Sequence, residues 1–151
     1  EKFPRLKFVI TEVSEFWVPH LLEMMDVRAS VKHTTGKLGD FRSNLTMPPS
    51  EYFRRNCWIG ASALFDEGST AVRHEIGIDR VMWGTDYPHP EGSWPKTHEK
   101  LVTYMKGLPE REIEAMLSAN ALNCYDLDVD ALNAIAQRIG PLKSDFVEAA
   151  A

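Results

Sequence analysis

This chain contains three short apolar runs, which are separated by segments with a helical pattern of apolar residues. The runs are rich in β-branched and aromatic residues, which predicts buried strands at Lys7–Thr11, Cys57–Ser62 and Arg80–Thr85. Between and after them, apolar residues recur three and four positions apart, which predicts amphipathic helices. These helices are expected at 16–33, Ser50–Asn56, Ser69–Ile76, Thr97–Met105, 109–125 and 130–139, the last with Asp130 as its N-cap.

The order of these elements indicates the fold class. Strands that alternate with helices favour parallel βαβ units, so we expect an α/β protein. A closed (β/α)8 barrel needs eight strands and about 250 residues, more than this chain supplies. The residues therefore leave two architectures open, a small open sheet or part of a barrel. Residues 34–49 have little periodicity, which predicts a long loop.

Composition limits the kind of protein. The chain has 151 residues, of which 44% are hydrophobic and 26% charged, typical of one soluble globular domain. Its net charge of −5, without a basic cluster, argues against nucleic acid as a partner. No apolar run approaches the roughly 18–20 residues of a membrane span, and no signal peptide is evident, so we expect a cytoplasmic protein. Cys57 and Cys124 are expected to be free thiols.

The strand predicted at Arg80–Thr85 is followed at once by a carboxylate. Asp86 comes after a Gly-Thr pair and before a turn that contains proline. In α/β proteins the carboxyl end of a strand is the edge where ligands and metals bind. Asp86 is therefore a candidate site residue, although an aspartate that only hydrogen-bonds its own turn would give the same pattern.

Several segments, taken in order, carry a family resemblance. They are Phe3–Val9, Trp17–Pro19, Pro49–Asn56, Trp83–Pro95, Asn120-Ala121 and Ile135–Pro141. Together they resemble the amidohydrolase-2 family, which includes enzymes like aminocarboxymuconate-semialdehyde decarboxylase; the segment from Gly84 to His89 is the most specific. The resemblance implies a metal-dependent (β/α)8 barrel of which residues 1–151 form the C-terminal part, about strands six to eight. Residues 143–151 are expected to be a flexible tail.

The resemblance also assigns roles at the predicted site. It implies that Asp86 binds a divalent metal, expected to be zinc, and handles the proton of the water that the metal activates. The family's other ligands, a His-x-His pair and a further histidine, are expected outside this chain, which contains no His-x-His. Decarboxylase-like relatives carry a histidine where this chain has Glu12. We expect Glu12 to face the substrate pocket, the alternative being a glutamate that precedes a helix.

Other residues near Asp86 are weaker candidates. His89, three positions later, contacts substrate or supports the site, or else is an ordinary exposed histidine. Glu91 and Trp94 are expected to line the same pocket mouth. Asn120 is expected to tie a helix to a neighbouring loop. The remaining histidines have no ligand spacing, so we expect surface or packing roles for His20, His33, His74 and His98.

Three functional hypotheses follow from the resemblance. The first is part of a metal-dependent hydrolase that acts on a small carbonyl or carboxylated substrate. The second is a non-oxidative, metal-dependent decarboxylase. The third is that the isolated chain is a non-catalytic fragment that self-associates, because a half-barrel exposes strand edges and apolar surface. Its partner would then be the missing N-terminal half of the barrel or another copy of the chain.

Overall fold

The computed structural model describes residues 2–12, 14–30, 41–61 and 67–147. Its strands are β1 (Phe8–Thr11), β2 (Cys57–Ala61) and β3 (Val81–Trp83). Its α-helices are α1 (Trp17–Ser30), α2 (Pro49–Asn56), α3 (Glu67–Ala71), α4 (Arg73–Ile76), α5 (Thr97–Met105), α6 (Glu110–Glu114), α7 (Asn120–Tyr125) and α8 (Val129–Ile139). Short 3₁₀ turns occur at Phe41–Asn44, Ile78–Arg80 and Lys143–Phe146. Within these residues no helix is long and apolar enough to cross a membrane.

The sheet is parallel and runs in the order β1-β2-β3. Helices connect consecutive strands, which confirms the predicted α/β class. The register places Thr11 beside Gly60 and Gly60 beside Met82. All three strands therefore end at the same edge, and the residues that follow β1 and β3 meet there.

Both faces of the sheet are packed. On one face Ile59, Ala61 and Val81 are fully buried against helices α1 and α2 and the helices after β3. Each large aliphatic side chain buried in this way contributes roughly 1.5–3 kcal/mol. On the other face Trp58 and Met82 pack with Cys124 of α7. The core thus holds the central strand rigidly between its neighbours.

A buried amide fixes the entry to β3. Asn120 Nδ2 donates to the carbonyl oxygens of Ile78 and Val81, at 2.7 Å each. These bonds confirm that Asn120 ties a helix to a neighbouring loop. They also hold Ile78–Arg80 as a 3₁₀ turn, so β3 begins at Val81 rather than at Arg80.

Some helix predictions differ from the structure. The helix predicted at Ser69–Ile76 is divided at Val72 into α3 and α4. The helix predicted from 109 to 125 has a π-helical segment, Ala115–Ala119, between α6 and α7. Asp128, not Asp130, caps α8, because its side chain accepts the Ala131 N–H at 3.0 Å. Residues 31–40, where the first helix and the long loop were predicted to meet, lie outside the described residues.

The beginning of the predicted C-terminal tail packs against the core. Lys143–Phe146 forms a 3₁₀ turn, and the Phe146 side chain is buried in the core. Asp145 Oδ2 accepts the Leu142 N–H at 2.8 Å and lies 2.9 Å from His98 Nε2. The hydrogen bond with His98 and the one from Leu142 lower the pKa of Asp145. Residues 148–151, the rest of the predicted tail, lie outside the described residues.

Candidate metal centre

Two carboxylates lie at the carboxyl edge of the sheet. Glu12 directly follows β1, and Asp86 comes three residues after the end of β3. Both residues have a φ of 56°. Side chains with a Cβ avoid this left-handed region, at a free-energy cost of about 1–2 kcal/mol per residue. The fold therefore turns the chain sharply at both positions where a carboxylate is placed.

His89 joins these carboxylates. Its Nδ1 lies 3.2 Å from Asp86 Oδ2 and 3.3 Å from Glu12 Oε1. One ligand atom from each of the three side chains falls within 4.8 Å of the other two. The Asp86 side chain is only 11% exposed, whereas those of His89 and Glu12 are 53% and 59% exposed. The cluster is thus nearly buried at Asp86 and open to solvent at Glu12 and His89.

The loop after β3 is held by its own backbone. The His89 N–H donates to Asp86 O at 2.9 Å, and the Ser93 N–H donates to Thr85 O at 2.8 Å. Gly92 is buried in the turn between them, and a Cβ there would lie 2.7 Å from Thr85 O. An alanine at this position would force the backbone to shift. The loop therefore requires a glycine, and its fixed shape sets the position of His89.

The other two predicted pocket residues stand apart from the cluster. Trp94 is exposed and packs edge-to-face on the exposed Tyr87, with ring centroids 5.7 Å apart. Glu91 is exposed on the same loop. Among the described residues, neither side chain shares a hydrogen bond with the cluster.

The remaining histidines and cysteines lie elsewhere. His98 contacts Asp145, and His74 Nε2 lies 3.3 Å from Glu112 Oε2, while His20 is exposed on α1. His33 lies outside the described residues. Both cysteines, Cys57 and Cys124, are free thiols as expected, and burial raises the pKa of each.

The donor atoms of the cluster suit a divalent metal. Two carboxylates and one imidazole converge, and they supply the oxygen and nitrogen ligands that manganese, zinc and iron accept in proteins. The Asp86 side chain is nearly buried, which limits competition from bulk water for its carboxylate. The residues present therefore fit the cation that the sequence resemblance implies.

Comparisons with known proteins identify the family of this chain. The amidohydrolase family model matches residues 1–127. No curated protein matches the chain. A solved 5-carboxyvanillate decarboxylase from Sphingomonas paucimobilis is 26% identical, with a TM-score of 0.64, and the match covers 84% of this chain and 36% of that one.

Two further solved structures are similar. An amidohydrolase from Mycobacterium avium subsp. paratuberculosis is 26% identical, with a TM-score of 0.59 and coverage of 83% of this chain and 29% of that one. A dihydroxybenzoic acid decarboxylase from Polaromonas, solved with bound manganese and the inhibitor 2-nitroresorcinol, is 22% identical, with a TM-score of 0.62 and coverage of 83% and 35%.

The chain thus spans about a third of the length of these relatives. Its three parallel strands and their helices correspond to part of a (β/α)8 barrel, as the resemblance implied. The family match covers most of the sequence and includes Asp86. The chain belongs to the amidohydrolase family.

Proposed function

We propose that this chain is part of a metal-dependent enzyme that removes a carboxyl group, without oxidation, from a small carboxylated substrate. The observation that carries the proposal is the position of Asp86, nearly buried at the carboxyl edge of the sheet and in contact with His89. Similarity to the 5-carboxyvanillate decarboxylase favours decarboxylation over hydrolysis. Hydrolysis of a carbonyl substrate is the second candidate, which the family match supports.

A divalent cation bound at Asp86 would act as a Lewis acid that polarises a substrate oxygen. In decarboxylation the bond from the substrate carbon to the carboxyl group breaks, carbon dioxide leaves, and the electron pair stays on that carbon. The carbon then takes up a proton. We assign the delivery of this proton to Asp86, whose carboxylate takes up a proton from solvent and passes it to the carbon. The contact with His89 Nδ1 keeps this carboxylate at the edge of the sheet.

Under the hydrolytic alternative the same carboxylate has the opposite task. Asp86 accepts a proton from the attacking water and returns it to the leaving group. In both cases we expect Glu12, which contacts His89, to face the substrate, and the exposed Glu91 and Trp94 to lie farther out on the loop after β3. The open side of the cluster, at Glu12 and His89, is where a small substrate would enter.

Carbon dioxide release tests the proposed reaction. The whole protein, with the remaining barrel strands, is incubated with manganese or zinc and with aromatic and unsaturated carboxylic acids. We expect carbon dioxide in amounts equal to the substrate lost, and loss of turnover after chelation followed by recovery when metal is restored. Hydrolysis products without carbon dioxide would favour the second candidate. Turnover that chelation leaves unchanged would contradict both.

The isolated chain is expected to self-associate. Among the described strands β1 has one neighbour, and Phe8 on that strand is 56% exposed. Met24, Met25 and Val27 add further exposed apolar surface on α1. Such surface favours pairing with another copy or with the rest of the barrel. Light scattering should show a dimer or larger species; a monodisperse monomer would contradict this expectation.

A further inference from the structure

We propose that Arg80 binds a carboxylate from the strand that pairs with the free edge of β3 in the whole barrel. The amino end of the barrel interior would then contain a buried ion pair. The inference needs the barrel fold but not the proposed reaction, because Arg80 lies at the opposite edge of the sheet from Glu12 and Asp86. The partner is defined by its chemistry, an aspartate or glutamate that points inward at the level of Arg80.

The guanidinium of Arg80 lies on the inward-facing side of the sheet. Helices cover the face that carries Ile59 and Val81, which is the outer face in a (β/α)8 barrel. Trp58 packs with Met82 on the opposite face. Cζ of Arg80 lies 4.7 Å from the centroid of the Trp58 ring. Arg80 is therefore stacked on an inward-facing side chain at the amino end of the strands.

The described residues do not complete the hydrogen bonds of Arg80. Its Nε is buried without an acceptor among them, and the same is true of Nε1 of Trp58, a side chain that is 4% exposed. Asp79 Oδ2 lies 3.2 Å from Arg80 Nη2, but the Asp79 side chain is 66% exposed whereas that of Arg80 is 18% exposed. An ion pair with so exposed a partner contributes little. A guanidinium that is largely removed from water needs a further acceptor.

Lys7, the other cation at this end of the inward face, is compensated within the chain. Its Nζ donates to the carbonyl oxygens of Asn123 and Cys124, at 3.0 and 2.8 Å. These carbonyls belong to the last turn of α7, where the helix dipole favours a cation. Among the described residues, no main-chain carbonyl accepts a hydrogen bond from Arg80 in this way. The surface around Arg80 is therefore electropositive, which favours an acidic partner.

The position of Arg80 in the sheet indicates which strand supplies the acid. β2 pairs with one side of β3, and the other side is an edge among the described strands. Closure of the barrel places a parallel strand about 4.8 Å from this edge. Side chains from all the strands fill a barrel interior, so an inward-facing residue of that strand comes beside Arg80. A carboxylate suits this place because it accepts two parallel hydrogen bonds from a guanidinium.

Substitution of Arg80 in the whole protein tests for the acid without knowledge of its identity. Arg80→Met would leave the acid buried without a counterion, so we expect the melting temperature at neutral pH to fall by about 5–15 °C. Arg80→Lys keeps the charge and should recover part of this loss. The matched control is Arg111→Met, which changes an exposed arginine of α6 and should shift the melting temperature by no more than about 2 °C.

The pH dependence distinguishes an unpaired carboxylate from lost packing. A buried acid without its counterion takes up a proton as the pH falls, which removes the unpaired charge. We therefore expect the difference in melting temperature between wild type and Arg80→Met to be smaller at about pH 5 than at neutral pH. The other titratable groups around Arg80 are Asp79, Cys57 and Cys124, with Lys7 beside Cys124, and both proteins contain them.

A difference of the same size at both pH values would show that Arg80→Met loses only packing on Trp58, and it would overturn the proposal. A crystal structure of the whole protein gives the second readout. A carboxylate oxygen of another strand within hydrogen-bond distance of the guanidinium would support the proposal. Water, an inorganic anion or another copy of the protein in that position would overturn it. Neither readout depends on carbon dioxide release, so the proposed function is tested separately.

Discussion

Replacing Glu112 with alanine is expected to lower the free energy of unfolding by about 3–5 kcal/mol. Glu112 Oε2 accepts the Arg73 Nε–H at 2.8 Å, and the two side chains are only 6% and 14% exposed. The pair joins α4 to α6 through two charges that are largely removed from water. Without Glu112, the Arg73 guanidinium remains buried with its main counterion gone. Chemical denaturation measures the change, which corresponds to a fall in melting temperature of roughly 6–20 °C.

The matched control removes both charges. A double variant, Arg73→Met with Glu112→Leu, replaces the ion pair by apolar side chains of similar size. We expect it to be considerably more stable than Glu112→Ala, because no unpaired charge remains in the interior. Equal destabilisation of the single and double variants would show that the loss comes from packing rather than from an unpaired charge.

Replacing Asp86 with asparagine is expected to reduce kcat/KM of the whole protein by a factor of about 1,000 or more. The amide keeps the shape of the side chain but loses its charge, so it holds a cation poorly and neither delivers nor accepts a proton. General acid–base catalysis alone contributes roughly 10²–10⁴-fold. The measurement is steady-state turnover together with metal content.

The melting temperature of the Asp86→Asn variant distinguishes a chemical effect of the substitution from a structural one. Asparagine tolerates the left-handed backbone of Asp86 better than most residues, so the melting temperature should change little. Glu99→Gln, an equivalent change on the exposed side of α5, should keep both metal and turnover. An Asp86→Asn protein with full metal content and full turnover would remove Asp86 from the mechanism.

Local pattern was enough to predict the fold class and to identify Asp86 as a candidate site residue. The apolar run before it, its position after Gly-Thr and the alternation of strands with helices are all properties of nearby residues. The contact between Glu12 and His89 is different, because it depends on the register of three strands and on a left-handed backbone at two positions. Glu12 and His89 were therefore candidates in the sequence, but the contact between Glu12 Oε1 and His89 Nδ1 could not be predicted from it.

The secondary-structure predictions that differ from the structure also fail because of contacts between residues distant in sequence. The apolar residues that follow Arg80 predict that it belongs to the strand. In the structure Asn120, forty residues later, holds Ile78–Arg80 in a turn instead. Phe146 lies in a polar segment that resembles a tail, yet its ring fills a space that helices distant in sequence create. In both places, tertiary packing outweighs local preference.

We propose that Asp86 binds a divalent metal in this amidohydrolase-family protein. Anomalous X-ray scattering from a crystal of the whole protein grown with Mn²⁺ tests it most directly. We predict one strong anomalous peak about 2.0–2.2 Å from a carboxylate oxygen of Asp86, the usual distance between such an oxygen and a divalent transition metal. A well-occupied manganese peak elsewhere, with none at Asp86, would show that Asp86 is not a metal ligand.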